Sequence, residues 1–192
     1  MKDLHDRFYR KAKEEHYLAR SVYKLQEALE KFNFIRASDR VLDVGCSPGS
    51  WSQFLLRKTL TTGSVTGIDV LPAQISHPRF TFIHASIAEI DAAELTRGGG
   101  MFDVVLSDAM VNTNADPESN HYRSVSLCRK ISLRLPELLK QNGMFFFKVF
   151  DGPDLQPFRK ELTALFSAVS IFKPQSSRDE SRELFLFCRS KR

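Results

Sequence analysis

The stretch Val41-Leu42-Asp43-Val44-Gly45-Cys46-Ser47-Pro48-Gly49-Ser50-Trp51 restricts the possible folds more than any other part of the chain. Arg40 to Val44 is an apolar, β-branched run of the kind that forms a strand buried on both faces. Gly45 to Ser50 is a turn of small residues, able to take positive φ and to let a ligand approach the backbone. From Trp51 to Lys58 the apolar spacing becomes helical, so the turn opens onto a helix N-terminus. Strand, glycine turn and helix start in that order form the ligand crevice of doubly wound α/β folds. The same succession also serves as a plain strand-to-helix connection.

Two better-known loops are excluded by spacing. There is no Gly-x-x-x-x-Gly-Lys-Ser/Thr for a triphosphate and no complete Gly-x-Gly-x-x-Gly for a dinucleotide pyrophosphate. The pattern is Asp-x-Gly-x-x-Pro-Gly, with an acid near the strand end and a proline stiffening the turn. Asp43 would repel phosphates, so the pattern favours a ligand with a cationic or amino-acid-like end. S-adenosylmethionine, with its sulfonium, ammonium, carboxylate and ribose, fits that description.

At 192 residues the chain has the length of one domain with a sizeable core. Its net charge of +5 permits a nucleic-acid partner without requiring one, so the placement of the charges matters more than their sum. Cys46, Cys128 and Cys188 are odd in number and widely spaced, which suggests neither a disulfide framework nor a zinc site. A reducing, cytoplasmic setting is expected, or a mitochondrial one if a presequence has been removed. No apolar run is long enough for a membrane span.

Residues 1–36 read as a basic amphipathic helical segment packed on a single domain covering 1–192. Tyr17, Leu18, Val22, Leu25, Leu29 and Phe32 fall near a helical period. Beyond the opening motif, Ser64 to Asp69 reads as a second strand, ending in an acid about 20 residues after the glycine turn, where doubly wound folds hold ribose hydroxyls. Arg79 to Ile83 and Met101 to Asp108 read as strands, with a short helix at Ile87 to Leu95 between them. Asn112 to Ser119 reads as a loop over the carboxyl edge. A helix is expected from Tyr122 to Lys140, ended by Asn142-Gly143, followed by a strand from Met144 to Phe150. Leu155 to Phe166 reads as a helix, and Val169 to Phe172 and Leu184 to Cys188 as the last strands. This alternation predicts an α/β fold with a seven-stranded, mostly parallel sheet, helices on both faces and an antiparallel last strand.

Lys148 is the anomaly of the fifth strand. A lysine inside Phe-Phe-Phe-Lys-Val-Phe is costly to bury unless it is paired, and it either reaches out past the strand end or has a partner. Asp108, at the end of the neighbouring strand, is the candidate.

Several short motifs in register resemble the FtsJ/RrmJ family of RNA ribose 2′-O-methyltransferases. They are Ala19-Arg20-Ser21 with Tyr23-Lys24-Leu25, the run Ser47 to Gln53, Ser107-Asp108, Phe147 to Phe150, and Lys173 to Arg178 followed by Ser181-Arg182-Glu183. The likeness extends from about Tyr9 to Cys188 and implies a Rossmann-like class I methyltransferase using S-adenosylmethionine. It places the family's Lys-Asp-Lys-Glu tetrad on Lys24, Asp108, Lys148 and Glu183, with no metal. A ribose hydroxyl is a poor nucleophile, so its proton must be removed or its charge stabilised during attack. Lys148 would do this, positioned by the other three.

The resemblance assigns the cofactor to Gly45, Ser47, Pro48, Gly49, Ser50 and Trp51 in the turn, and to Asp69, Ser86 and Asp108. Two positions depart from the family. Ser86 stands where an acid usually grips the adenine amino group, and Asp108-Ala109-Met110-Val111-Asn112 replaces Asp-Met-Ala-Pro-Asn. RNA contacts are expected from Arg7, Arg10, Lys11, Lys13 and Arg20 near the start and from Arg178 and Arg182 near the end, giving salt-dependent affinity. The implied partner is RNA, met by a monomer. Arg10 to Glu15 resembles the branch acting on the transfer-RNA anticodon loop. Asp43 to Trp51 resembles the mitochondrial ribosomal branch, and large-subunit ribosomal RNA is the favoured substrate. A catalytically weak RNA-binding member of the fold is the alternative.

Overall fold

The apolar runs converge on one sheet. In the computed structural model, residues 2–110, 116–178 and 180–192 are described, residues 2–6 by their backbone alone. The strands are β1 (Arg40–Val44), β2 (Ser64–Asp69), β3 (Phe80–His84), β4 (Phe102–Ser107), β5 (Leu139–Phe150), β6 (Phe166–Phe172) and β7 (Glu183–Lys191). Among the described residues they form one seven-stranded sheet in the order β3-β2-β1-β4-β5-β7-β6. The first five strands pair in parallel, and β7 runs antiparallel between β5 and β6. This is the expected fold class.

The period of two along each strand sorts the core into two layers. Val41, Val65, Val104, Leu106, Phe146, Phe185 and Phe187 face helices α1 (Lys2–Glu14), α2 (Val22–Phe32) and α3 (Ser50–Phe54). Leu42, Val105, Phe145, Phe147 and Leu186 face α4 (Ala92–Thr96), α5 (Pro117–Leu138) and α6 (Leu155–Leu165). The N-terminal segment is thus two helices, packed through Ala12, Val22, Tyr23, Leu25 and Ala28.

Three elements differ from the sequence reading. The helix expected at Ile87 to Leu95 shrinks to α4, because Asp91 caps it by accepting from the Ala93 amide at 2.8 Å. Arg134 of α5 takes up the preceding turn, donating to the carbonyls of Ile87 and Ile90 at 3.1 and 2.9 Å. Helix α5 begins at Pro117, capped by Asp116, so the end of the expected loop is already helical. The rest of that loop, Val111 and residues 112–115, lies outside the described residues. At its other end α5 stops at Leu138, not at Asn142-Gly143. Leu139 pairs with Phe102 and Met144 with Val104, so residues 140–143 form a bulge in β5. Asn142 does take the left-handed conformation, φ 61°, but inside that bulge. The helix after the glycine turn also splits, passing from α3 into a wider turn at Leu55–Thr59.

Candidate active site

Alternation along the strands also builds the site. On the face covered by α2, the residue two beyond Leu106 is Asp108, the residue two beyond Phe146 is Lys148, and the residue two before Phe185 on the reversed strand is Glu183. Lys148 pairs across the ladder with Phe185, and Glu183 with Phe150. Three charged side chains therefore leave neighbouring strands at the same edge of the same face, where α2 presents Lys24.

The four make a chain of alternating charge. Lys24 Nζ lies 2.7 and 2.8 Å from the two carboxylate oxygens of Glu183 and 3.7 Å from Asp108 Oδ1. Lys148 Nζ lies 2.9 Å from the same Oδ1 and donates to the Asp108 backbone carbonyl at 2.8 Å. The ammonium is directed at that carbonyl, so the contact with Oδ1 is an ion pair by distance, and Oδ1 accepts no hydrogen bond among the described residues. Lys148 is only 6% exposed, so it is paired and does not reach out to solvent. Removing an ammonium from water costs several kcal/mol. Burying Phe145, Phe146 and Phe147 returns about 1.5–3 kcal/mol apiece, which together with the Asp108 contacts offsets that cost. Cys128 Sγ donates to the Lys148 carbonyl at 3.2 Å, fixing the strand behind it.

These residues open onto a cleft of about 1170 Å³ at the carboxyl edge of the sheet. Gly45, Ser47, Asp69, Ser86 and Asp108 line it, as do Arg20, Lys24, Lys148, Arg178 and Glu183. Its two ends differ in chemistry. Toward β1 and β2 it presents Asp69 and backbone; toward α2 and β7 it presents lysines and arginines with Glu183 among them. Asp69 is held open by the amides of Ser47 and Leu71, each 2.9 Å from one carboxylate oxygen, with lone pairs left for a ligand's hydroxyls. Gly45 has φ +73°, and a Cβ there would meet that of Ala109 at 2.5 Å, so the two loops touch backbone to backbone.

Not every expected cofactor residue reaches the cleft. Pro48, Gly49, Ser50 and Trp51 lie outside its lining. Trp51 is 3% exposed and stacks 6.0 Å from Phe146. Its Nε1 donates to the Ser21 carbonyl at 2.8 Å, and the Ser50 and Ser21 hydroxyls share a 3.0 Å hydrogen bond. Both act on the cleft through Ser21, which lines it. Asp43 is fully buried behind the turn, where Ser52 Oγ donates to it at 2.7 Å. Burial pushes its carboxyl up to about 7, with Asp108 and Asp69 adding to the effect.

The expected RNA contacts divide in two groups. Arg20 and Arg178 line the cleft, and Arg182 is exposed next to Glu183. Burial, and then the neighbouring Arg178 guanidinium, lower Arg20 from the usual arginine value. Arg7, Arg10 and Lys13 are exposed on α1, away from the cleft lining, and Lys11 lies 4.6 Å above the Tyr23 ring. Sequence reasoning passed over Val70 and Leu71, which are exposed apolar residues at the cleft mouth, beside the exposed Met110 of the departing motif. In sequence they read as ordinary strand-end and loop residues. No group of three His, Cys, Asp or Glu among the described residues could hold a metal, and no described helix is long and apolar enough to cross a membrane.

Comparison with known proteins agrees with this fold. The sequence profile of the FtsJ-like methyltransferases matches residues 17–191. A ribosomal RNA large subunit methyltransferase E of Brachyspira hyodysenteriae is 59% identical over 190 residues, covering 99% of this chain and 97% of that protein. The mitochondrial rRNA methyltransferase 2 of Caenorhabditis elegans is 37% identical, covering 96% of this chain and 89% of its own. A crystal structure from Plasmodium falciparum, assigned as a ribosomal RNA methyltransferase, superposes with a TM-score of 0.81 at 27% identity, covering 91% of this chain and 98% of that one. With nearly its whole length matched and its charged residues gathered at one cleft, this chain belongs to the FtsJ-like methyltransferase family.

Proposed function

We propose that the protein is an S-adenosylmethionine-dependent methyltransferase of large-subunit ribosomal RNA, acting on the 2′-hydroxyl of a ribose, that of a uridine. The Lys24–Asp108–Lys148–Glu183 cluster, set between the Asp69 side of the cleft and the side lined by Arg20 and Arg178, carries this reading. The relatives named for large-subunit ribosomal RNA support the choice of substrate.

The residues present fit the methyl donor. Asp108 Oδ1, buried and without a hydrogen bond among the described residues, offers negative charge to a sulfonium. Asp69 has acceptor capacity for ribose hydroxyls, and Gly45 and Ser47 supply a close-packed backbone wall. Ser86 Oγ lies at the same wall, 3.3 Å from the Ala88 amide, and accepts less strongly than a carboxylate would. When bound, the donor supplies an electrophilic methyl group, which is the difficult part of the chemistry.

The chain's own residues then handle the acceptor. Lys148 Nζ, anchored on the Asp108 carbonyl, donates a hydrogen bond to the attacking 2′-oxygen and stabilises the negative charge it gains as the new bond forms, the hydroxyl proton leaving to water. Asp108 and Lys24 keep that nitrogen in place, and Glu183 keeps Lys24 in place, so the reactants meet in line. Arg20 and Arg178 receive the neighbouring phosphates.

The test is tritium transfer from labelled S-adenosylmethionine to large ribosomal subunits, naked ribosomal RNA and transfer RNA from cells lacking the enzyme. Wild-type protein should label one ribosomal nucleotide, which then resists alkaline cleavage, and Lys148→Ala should not. Label in transfer RNA would move the substrate to the anticodon loop. RNA binding without any transfer would make the protein a binding module.

A further inference from the structure

The α2 face that presents Lys24 presents an acid, Glu27, one turn on. Glu27 spans to the loop between β6 and β7, where its two carboxylate oxygens accept from the backbone amides of Gln175 and Ser176 at 2.6 and 2.9 Å. The loop turns tightly here, with the Ser177 amide donating to the Pro174 carbonyl at 3.2 Å. Successive amides in such a turn form a concave anion site, and here the protein's own carboxylate occupies it.

That turn bears directly on the charged cluster. Ser177, immediately after the two gripped amides, donates through Oγ to Glu183 Oε1 at 2.9 Å. Glu183 in turn contacts Lys24 through both oxygens. At the far end of the loop the Glu183 amide donates to Ser181 Oγ at 3.2 Å, and Lys173 Nζ donates to the Ser181 carbonyl. Lys24 and Glu27, three residues apart on one helix face, therefore hold the same loop at two points. Glu27 holds its backbone, and Lys24 holds the acid that the loop delivers.

We propose that Glu27 is a positioning residue for the methyl-transfer site, acting through the 174–177 turn and Ser177 to orient Glu183 and so Lys24. The inference rests on the reading of Lys24, Asp108, Lys148 and Glu183 as the site. Without Glu27 the two amides turn to water, Ser177 no longer holds Glu183 Oε1, and Lys24 follows its partner away from Asp108. Displacements on the scale of an ångström at a positioned reacting group cost up to about 100-fold in rate. The cofactor end of the cleft, at Gly45, Ser47 and Asp69, is untouched.

The experiment compares wild type, Glu27→Ala, Glu27→Gln and Glu30→Ala in methyl transfer to ribosomal subunits, with amide exchange by mass spectrometry. Glu27→Ala should lower kcat roughly tenfold to 100-fold, leave the KM for S-adenosylmethionine within about twofold, and release protection at Gln175 and Ser176. Glu27→Gln, which keeps one acceptor oxygen, should recover part of kcat. It also serves if Glu27→Ala folds poorly. Glu30→Ala, one turn further along α2, should match wild type. Unchanged kcat in Glu27→Ala, unchanged protection at the two amides, or an equal loss in cofactor KM would overturn the proposal. Lys148→Ala, run alongside, separates the two failures. If it still transfers methyl, the reading of the site has failed; if it is inactive while Glu27→Ala is fully active, only the role of Glu27 has.

Discussion

Replacing Lys148 with methionine separates what the buried cluster does for chemistry from what it does for stability. The side chain keeps its length and apolar contacts, but Asp108 loses the ammonium 2.9 Å from Oδ1. Removing one partner of a buried ion pair costs about 3–5 kcal/mol. Lys24 Nζ stays 3.7 Å from the same oxygen, so the loss should be lower, about 2–3 kcal/mol. At about 2–4 °C per kcal/mol for a chain of this size, Tm should fall by about 4–12 °C. Asp108→Asn should destabilise by a similar amount, because it strands Lys148. The double variant Lys148→Met/Asp108→Asn removes both charges and should return to within about 1 kcal/mol of wild type, since uncharged replacements of a buried pair are often neutral. Urea denaturation of the four proteins gives the coupling energy, expected at about 3 kcal/mol or more. Methyl transfer should fall about 100-fold to 10,000-fold in all three variants, the double variant included. A coupling below about 0.5 kcal/mol, or transfer restored in the double variant, would refute the reasoning.

Asp43 gives a pH signature. Its folded value, pushed up to about 7, exceeds the ordinary 3.8, so between these values the folded protein holds a proton that the unfolded chain has released. Stability should therefore fall by a few kcal/mol as pH rises through that window and level off above it; Asp43→Asn should remove the slope in denaturant titrations, and an unchanged slope would assign it elsewhere. Gly45→Ala would force a side chain into the left-handed region and against Ala109, at about 1–3 kcal/mol, and equilibrium dialysis should show S-adenosylmethionine binding lost along with it. Arg178→Ala and Arg182→Ala should each reduce the salt dependence of RNA binding by about one unit in log–log slope; an unchanged slope would remove that arginine from the phosphate path.

The parallel core of the sheet is legible in the sequence because β1, β2 and β4 are short apolar runs ending at acids, and no helical period competes with them. Lys148 stands out for the same reason, as a charge in a run of phenylalanines. Local rules fail where a distant contact decides. Asn142 has the residue type that favours positive φ, yet the pairing of Leu139 with Phe102 puts it in a bulge and not at a helix end. Trp51 looks like a cofactor contact by its place in the motif, but Phe146 and Ser21 draw it into the core. Glu27 reads as one more solvated charge on an amphipathic helix, and its partners are 148 and 149 residues away. Spacing along the chain carries no signal at that separation.

The position of β7 also has a consequence for the order of assembly. Strand β6 is synthesised before β7 but, among the described residues, pairs with no strand except β7. As the chain emerges from the ribosome, Phe166 to Phe172 must wait, apolar and without a strand partner, until Glu183 to Lys191 has threaded in beside β5. Such late, non-local strand pairing slows folding and exposes the chain to aggregation. The strand that ends this wait also brings Glu183 to Lys24, so the ion pair forms only when the sheet is complete.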